Sequence, residues 1–226
     1  MRGNLEQPAL MPDADRFRQL AEKCSDVRTS FFMAILRHLY FRARGRKILT
    51  SNRVRIQGLQ NIEAEEYLTI GLSYYGFVSS QERTFLNVEG ELTFLGRFSI
   101  AKGCRIDVGK DAKVAFGSGY ISPNTDIIIV HGMTVGDGCS ISWGCQFLDD
   151  DFHDLEYEGR TEVLNPQIKI GSHVWIGSRV SVLKGAVIPD GCVVAANSLV
   201  NKVFTEKNCL LAGNPAKVIR RDVSWK

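Results

Sequence analysis

Six aliphatic β-branched residues, Ile170, Ile176, Val182, Ile188, Val194 and Val200, stand one hexad apart in the last third of the chain. An α-helix would repeat its buried face at about 3.6 residues and a half-buried strand at about 2, so a sustained period of six requires short extended segments that meet at corners. Three hexads close one triangular turn. The aliphatic points inward, each corner takes a compact residue, and every turn completes the backbone pairing of the next. The other slots agree: Val174, Val180, Ala186, Cys192 and Ser198 lie four residues after the first five aliphatics, and Gly171 and Gly177 directly follow the first two. Upstream, the frame continues at Val135 and Ile141, with Cys139 and Cys145 in the fourth-following slot, and more loosely at Val88, Phe94, Ile100 and Ile106. A parallel β-helix is the expected fold.

That frame gives the cysteines a structural explanation. Cys104, Cys139, Cys145 and Cys192 of the six fall in the small inward slot, where a thiol packs as a compact apolar group, and no CxxC pair occurs. The frame also exposes an interruption. Val135 and Ile170 are 35 residues apart, not a multiple of six, and the interval holds a polar, acidic stretch, residues 148–167, that must loop out. It carries Asp149, Asp150, Asp151, Phe152, His153 and Asp154, and loops on a rigid scaffold are where function concentrates.

The amino-terminal part reads differently. Residues 13–47 are expected to be helical, opened by Asp13 and Asp15, with apolar positions at Phe32, Ile35, Leu36 and Leu39, and closed by Gly45 and the polar residues 50–52. The expected organisation is a basic helical extension over residues 1–50 and a β-helix domain over 51–226. Residues 1–60 hold 12 basic and 5 acidic side chains, although the whole chain has a net charge of only +3, too weak a balance to indicate a nucleic-acid partner. Between residues 28 and 47 lie Arg28, Arg37, Arg42, Arg44, Arg46 and Lys47, with no acid, beside Phe31, Phe32, Tyr40 and Phe41. Two readings fit: a helix docked on the main domain with its charges in water, or a segment that touches an anionic membrane surface or a polyanionic substrate. The helical stretch has no apolar run longer than the six residues 31–36, against about 18–20 for a span. With no secretory leader pattern, a cytoplasmic location is expected.

Taken together, the hexads, the loop histidine, the segment from His173 through Val174, Trp175, Ile176 and Gly177 to Ser178, and the carboxy-terminal Ala212-Gly213-Asn214-Pro215-Ala216-Lys217-Val218-Ile219-Arg220 resemble the hexapeptide-repeat O-acetyltransferases over about residues 50–222. Within that family the chain looks most similar to the sugar and surface-polysaccharide acetyltransferases. The resemblance implies a left-handed β-helix, acetyl-CoA as co-substrate with no metal required, a carbohydrate acceptor, and a cyclic homotrimer with CoA lying in a groove between neighbouring subunits. By position His153 matches the family's catalytic base, and Trp175 matches its tryptophan beside the pantetheine arm. Ser178 and Ala196 match corner positions that contact the arm, while Lys202, Lys217 and Arg220 match positions near the nucleotide end.

The chemistry asks for such a base. A neutral alcohol is a poor nucleophile towards a thioester, and imidazole is the side chain suited to take its proton near neutral pH. Of the four histidines, His38 and His173 read as surface residues, His131 as buried or near the site, and His153 as the base. Asp149, Asp150, Asp151 or Asp154, or a backbone carbonyl, could orient its ring. No serine or cysteine stands in a nucleophile motif, so direct transfer is expected, with a backbone N–H serving the oxyanion. A zinc-dependent hydration site on a similar β-helix is disfavoured because His131, His153 and His173 lie 22 and 20 residues apart with no H-x4-H pair. The rivals are an antibiotic-inactivating acetyltransferase and a non-catalytic scaffold.

Overall fold

The computed structural model describes residues 13–73, 76–153 and 165–226. Asp154 and most of the loop expected at 148–167 therefore lie outside the described residues. Two helices, α1 (Asp13–Asp26) and α2 (Phe31–Arg42), precede short strands that wind through three sheets of nine, seven and six strands among the described residues, parallel except for the last strand of the first. Each turn lays one strand on the first face, one on the second and one on the third, then returns to the first. The fold is a left-handed parallel β-helix.

The hexads are the inward pegs of this prism. Ile100, Ile141, Ile176 and Val194 lie on the first face, Val88, Ile106, Val182 and Val200 on the second, and Phe94, Val135, Ile170 and Ile188 on the third. All twelve are buried in one continuous core. The repeat is strict only where the turns are shortest. In the last coils Lys169 lies opposite Val187 and Trp175 opposite Val193, 18 residues on. Farther upstream Gly119 lies opposite Cys139, Arg105 opposite Asp126 and Glu91 opposite Lys113, spacings of 20, 21 and 22. The extra corner residues put the early frame out of phase. Those coils hold larger side chains: Phe94, Phe98 and Phe116 form a cluster with ring centroids 4.8–5.3 Å apart.

The compact slots have a steric reason. A Cβ on Gly177 would come within 2.7 Å of the Ala196 nitrogen and the Val194 oxygen, backbone atoms of the next coil. Cys104, Cys139, Cys145 and Cys192 are at most 2% exposed, as their slot requires. Burial pushes the Cys104 thiol up to about 12 and those of Cys139 and Cys145 up to about 11.

The amino-terminal segment departs from the single helix expected over 13–47. The chain breaks after α1, Arg28 takes a left-handed conformation (φ 51°), and Ser30 starts α2 by accepting the Met33 N–H on its Oγ at 3.4 Å. The docking face also differs. Ala34 and Phe41 are buried, Arg37 donates to Thr50 Oγ1 (2.7 Å) and to the Val54 carbonyl (2.9 Å), and a ring nitrogen of His38 lies 3.2 Å from the Ile48 carbonyl. Ile48–Thr50 is the outermost strand of the first face, so α2 covers an otherwise open sheet end. Lys102 fixes the join by donating to the Val27 carbonyl at 2.6 Å. Of the four apolar positions that mark the helix in sequence, only Ile35 packs inward, whereas Phe32, Leu36 and Leu39 are exposed.

At the other end Leu210–Gly213 adds to the first face, and Ala216–Arg220 turns back on it as the antiparallel pair of that sheet. The out-of-frame residues before it still pack, since Val203 bridges Val187 and both Phe204 and Cys209 are buried. The tail then lays the Trp225 ring on the His173 imidazole, with centroids 4.4 Å apart and planes 8° from parallel, and its indole N–H donates to the His173 carbonyl at 2.9 Å.

Candidate active site

Three successive aspartates leave the strand Gln146–Leu148; the first two are fastened to residues 130–132 and the third to Lys184. Asp149 is fully buried and accepts the backbone N–H groups of Val130, His131 and Gly132 at 2.7–2.8 Å. Asp150 holds the His131 ring nitrogen Nε2 at 2.7 Å on one oxygen and accepts the Phe152 N–H at 2.6 Å on the other. Asp151 pairs with Lys184 Nζ at 2.6 Å. The Phe152 N–H and then His131 hold the Asp150 carboxyl below the usual carboxylate range. The root of the loop is thus rigidly attached to the coils on either side, and His153 stands two residues beyond it.

His153 is exposed, and its ring nitrogen Nδ1 lies 3.4 Å from the Asp151 carbonyl. Of the candidate orienting groups, the backbone carbonyl is the one found beside the ring, and the three described aspartates are engaged elsewhere. The residue preceding the histidine, Phe152, has a left-handed backbone (φ 59°) and a side chain 54% exposed. Such a conformation is costly for a bulky residue.

The remaining candidates divide between prism edges. Trp175 lies on the first face, is 41% exposed, and donates its indole N–H to Ser142 Oγ at 3.2 Å. Ser178 and Ala196 occupy stacked corners between the first and second faces, joined by the Asn197 N–H donating to the Ser178 carbonyl at 2.9 Å. Lys217 and Arg220 are exposed on the strand that closes the first-face sheet. Lys202 follows the strand Leu199–Val200 at the corner between the second and third faces, its ammonium 5.2 Å from the centre of the Phe204 ring. That is also the edge from which the loop bearing His153 springs, because Gln146–Leu148 lies on the second face and Ile168–Ile170 on the third. One chain therefore brings Trp175, Ser178 and Ala196 together but carries His153 on a different edge.

Two features escape the linear sequence. One is the pairing of His131 with Asp150; the residues are 19 apart, about one coil, so stacking of neighbouring turns is the signal that links them. The other is a second excursion, residues 71–83, at the corner between the first and second faces, where Phe77 packs on Trp143 with ring centroids 5.6 Å apart. Among the described residues no three His, Cys, Asp or Glu side chains converge as a metal site.

With this geometry in place, comparison with known proteins identifies the class. The model of the bacterial transferase hexapeptide (six repeats) matches residues 167–202. A 24.8 kDa uncharacterised protein in the cps region of Klebsiella pneumoniae is 40% identical over 215 residues, 94% of this chain and 96% of its own length. The lipopolysaccharide biosynthesis O-acetyl transferase WbbJ of Escherichia coli K12, itself named as putative, is 30% identical over 157 residues, covering 61% of this chain and 75% of that one. The chain belongs to the hexapeptide-repeat acetyltransferase family. The fold is shared with AntD, an N-acyltransferase from Bacillus cereus solved with dTDP and 3-hydroxybutyryl-CoA, at a TM-score of 0.51 and 19% identity over 81% of this chain and 87% of that one.

Proposed function

We propose that the protein transfers an acetyl group from acetyl-CoA to a hydroxyl of a sugar within a surface polysaccharide or lipid-linked saccharide. His153 is the general base and the transfer is direct. The acceptor oxygen loses its proton to the imidazole as it attacks the thioester carbonyl, the tetrahedral oxyanion is held by a backbone N–H, and its collapse expels the CoA thiolate, which takes the proton back from the imidazole. The pantetheine arm lies along Trp175 and the corners at Ser178 and Ala196, with Lys202, Lys217 and Arg220 towards the nucleotide.

The observation that carries this reading is the placement of His153, exposed at the end of a firmly anchored root, with no carboxylate of the three described aspartates on its ring. Its position on a different edge from Trp175 supports a site shared between protomers of a homotrimer, where one copy's loop meets the next copy's first face. The carbohydrate acceptor is supported by the relative named for lipopolysaccharide biosynthesis. In this reading the enzyme works in the cytoplasm, with residues 28–47 turned towards an anionic membrane.

The test is release of free CoA from acetyl-CoA across a panel of surface glycans and hydroxylated antibiotics. Turnover with a glycan that falls at least a hundredfold in His153→Ala, with CoA binding retained, is the expected result. Turnover only with an antibiotic, or none with any acceptor, would replace this reading with one of its rivals.

A further inference from the structure

The outward face of α2 is the most anomalous surface among the described residues. At about 100° per residue, positions 32, 33, 36, 39 and 40 fall within an arc of about 120°. They are Phe32, Met33, Leu36, Leu39 and Tyr40, and each is 43–68% exposed. A surface helix normally turns its polar side to water, whereas this one holds its charged and polar groups, Arg37 and His38, against the β-helix and leaves an unbroken apolar stripe outside. A groove of about 520 Å³ continues the stripe, lined by Leu36, Tyr40, Phe41, Val54 and Ile56, with Arg55 at its side.

The charges around the stripe select the kind of partner. From residue 27 to residue 62 there is no Asp or Glu, while eight basic residues occur. Arg28, Arg42 and Arg44 are exposed around α2, and the Arg44 guanidinium sits 3.7 Å over the Tyr40 ring at the margin of the stripe. Exposed aromatic and aliphatic side chains ringed by arginines, on a helix lying across the end of the prism, match a bilayer interface with anionic headgroups. A protein partner of the same charge, including a second copy of this basic end, would face repulsion.

We infer that α2 docks the protein on an anionic phospholipid membrane by inserting Phe32, Met33, Leu36, Leu39 and Tyr40 among the acyl chains, with Arg28, Arg42 and Arg44 on the headgroup phosphates. This specifies the membrane-facing side in the proposed function but does not depend on the acyl-transfer chemistry. An end-on arrangement leaves the prism flanks, where His153 and Trp175 lie, clear of the bilayer.

The experiment is co-sedimentation of the full chain with vesicles of phosphatidylcholine alone and of phosphatidylcholine with 30% phosphatidylglycerol, paired with sedimentation velocity in the absence of lipid. Wild type should bind the anionic vesicles at least tenfold more tightly than the neutral ones, and less tightly as salt rises. Phe32→Ser/Leu39→Ser should lose at least tenfold of that binding while keeping the wild-type oligomeric state, melting temperature and acetyl transfer to a soluble acceptor. Arg42→Gln/Arg44→Gln should lose the preference for phosphatidylglycerol. The inference is overturned if wild type fails to bind anionic vesicles, if the serine variant binds as wild type does, or if that variant instead dissociates the oligomer, which would make the stripe a contact between copies. Loss of acetyl transfer in His153→Ala with vesicle binding intact separates this inference from the catalytic reading.

Discussion

If the acetyl donor sits on one copy and the base comes from another, two inactive proteins should restore each other. His153 and Trp175 occupy different edges of the same prism, so under the proposed roles a His153→Ala chain retains a sound donor face and a Trp175→Ala chain retains a sound base. Consider the proposed trimer, assembled at random from equal amounts of the two. A site is intact only when its base-donating copy is the Trp175→Ala chain and its face-donating copy is the His153→Ala chain. Each condition holds half the time, so about a quarter of sites recover. The assay is acetyl-CoA turnover at a concentration well below the wild-type KM, where the Trp175→Ala site is weakest. It is run on complexes carrying two different tags and purified through both, so that every oligomer measured is mixed. Dual-tagged complexes are enriched in productive neighbours, making about a quarter a lower bound for a shared site. Activity of the dual-tagged material no higher than that of the two separate variants would refute the reasoning and require both side chains to act from one chain.

Two further perturbations test the scaffold. Asp149→Ala removes a fully buried carboxylate that satisfies three backbone N–H groups, and the loss should be about 3–5 kcal/mol, seen as a fall of about 6–20 °C in melting temperature, with Asp149→Asn intermediate. A loss under about 1 kcal/mol would mean that the root is not held as described. Thiol pKa values raised by burial mean that the folded chain binds these protons more tightly than the unfolded one. The associated stability is therefore complete below the ordinary thiol value of 9.0 and declines as pH rises towards about 11–12. Denaturant midpoints should fall across that range, less so in Cys104→Ala/Cys139→Ala/Cys145→Ala, and modification by a thiol reagent at pH 8 should track global unfolding.

The core of the prism was legible because its signal is local. Val88, Phe94, Ile100 and Ile106 announce one peg per face even in the loose early coils, and the cysteine slots follow from the same frame. What the sequence hides are relations between coils. His131 meets Asp150 only because successive turns stack, and the changing turn length from 22 to 18 residues conceals that spacing upstream. The break at Thr29-Ser30 was readable in principle, since a serine before an apolar run is an ordinary helix start. The orientation of α2 was not. Its strongest apolar periodicity marks the outward face, because Arg37 and His38 are used to close the exposed sheet end, a demand set by the strand Ile48–Thr50 and not by the helix itself.

The 18-residue turn makes the late coils an indexing mechanism. Removing one hexad from a strand-and-corner unit upstream of Trp175 would turn every later side chain by one face, moving the indole off its present edge and the loop's return strand off its partner. Adding or removing a whole turn would instead leave each residue on its own face and merely lengthen or shorten the prism by about 4.8 Å, one strand spacing. Viable length changes in this region are therefore quantised.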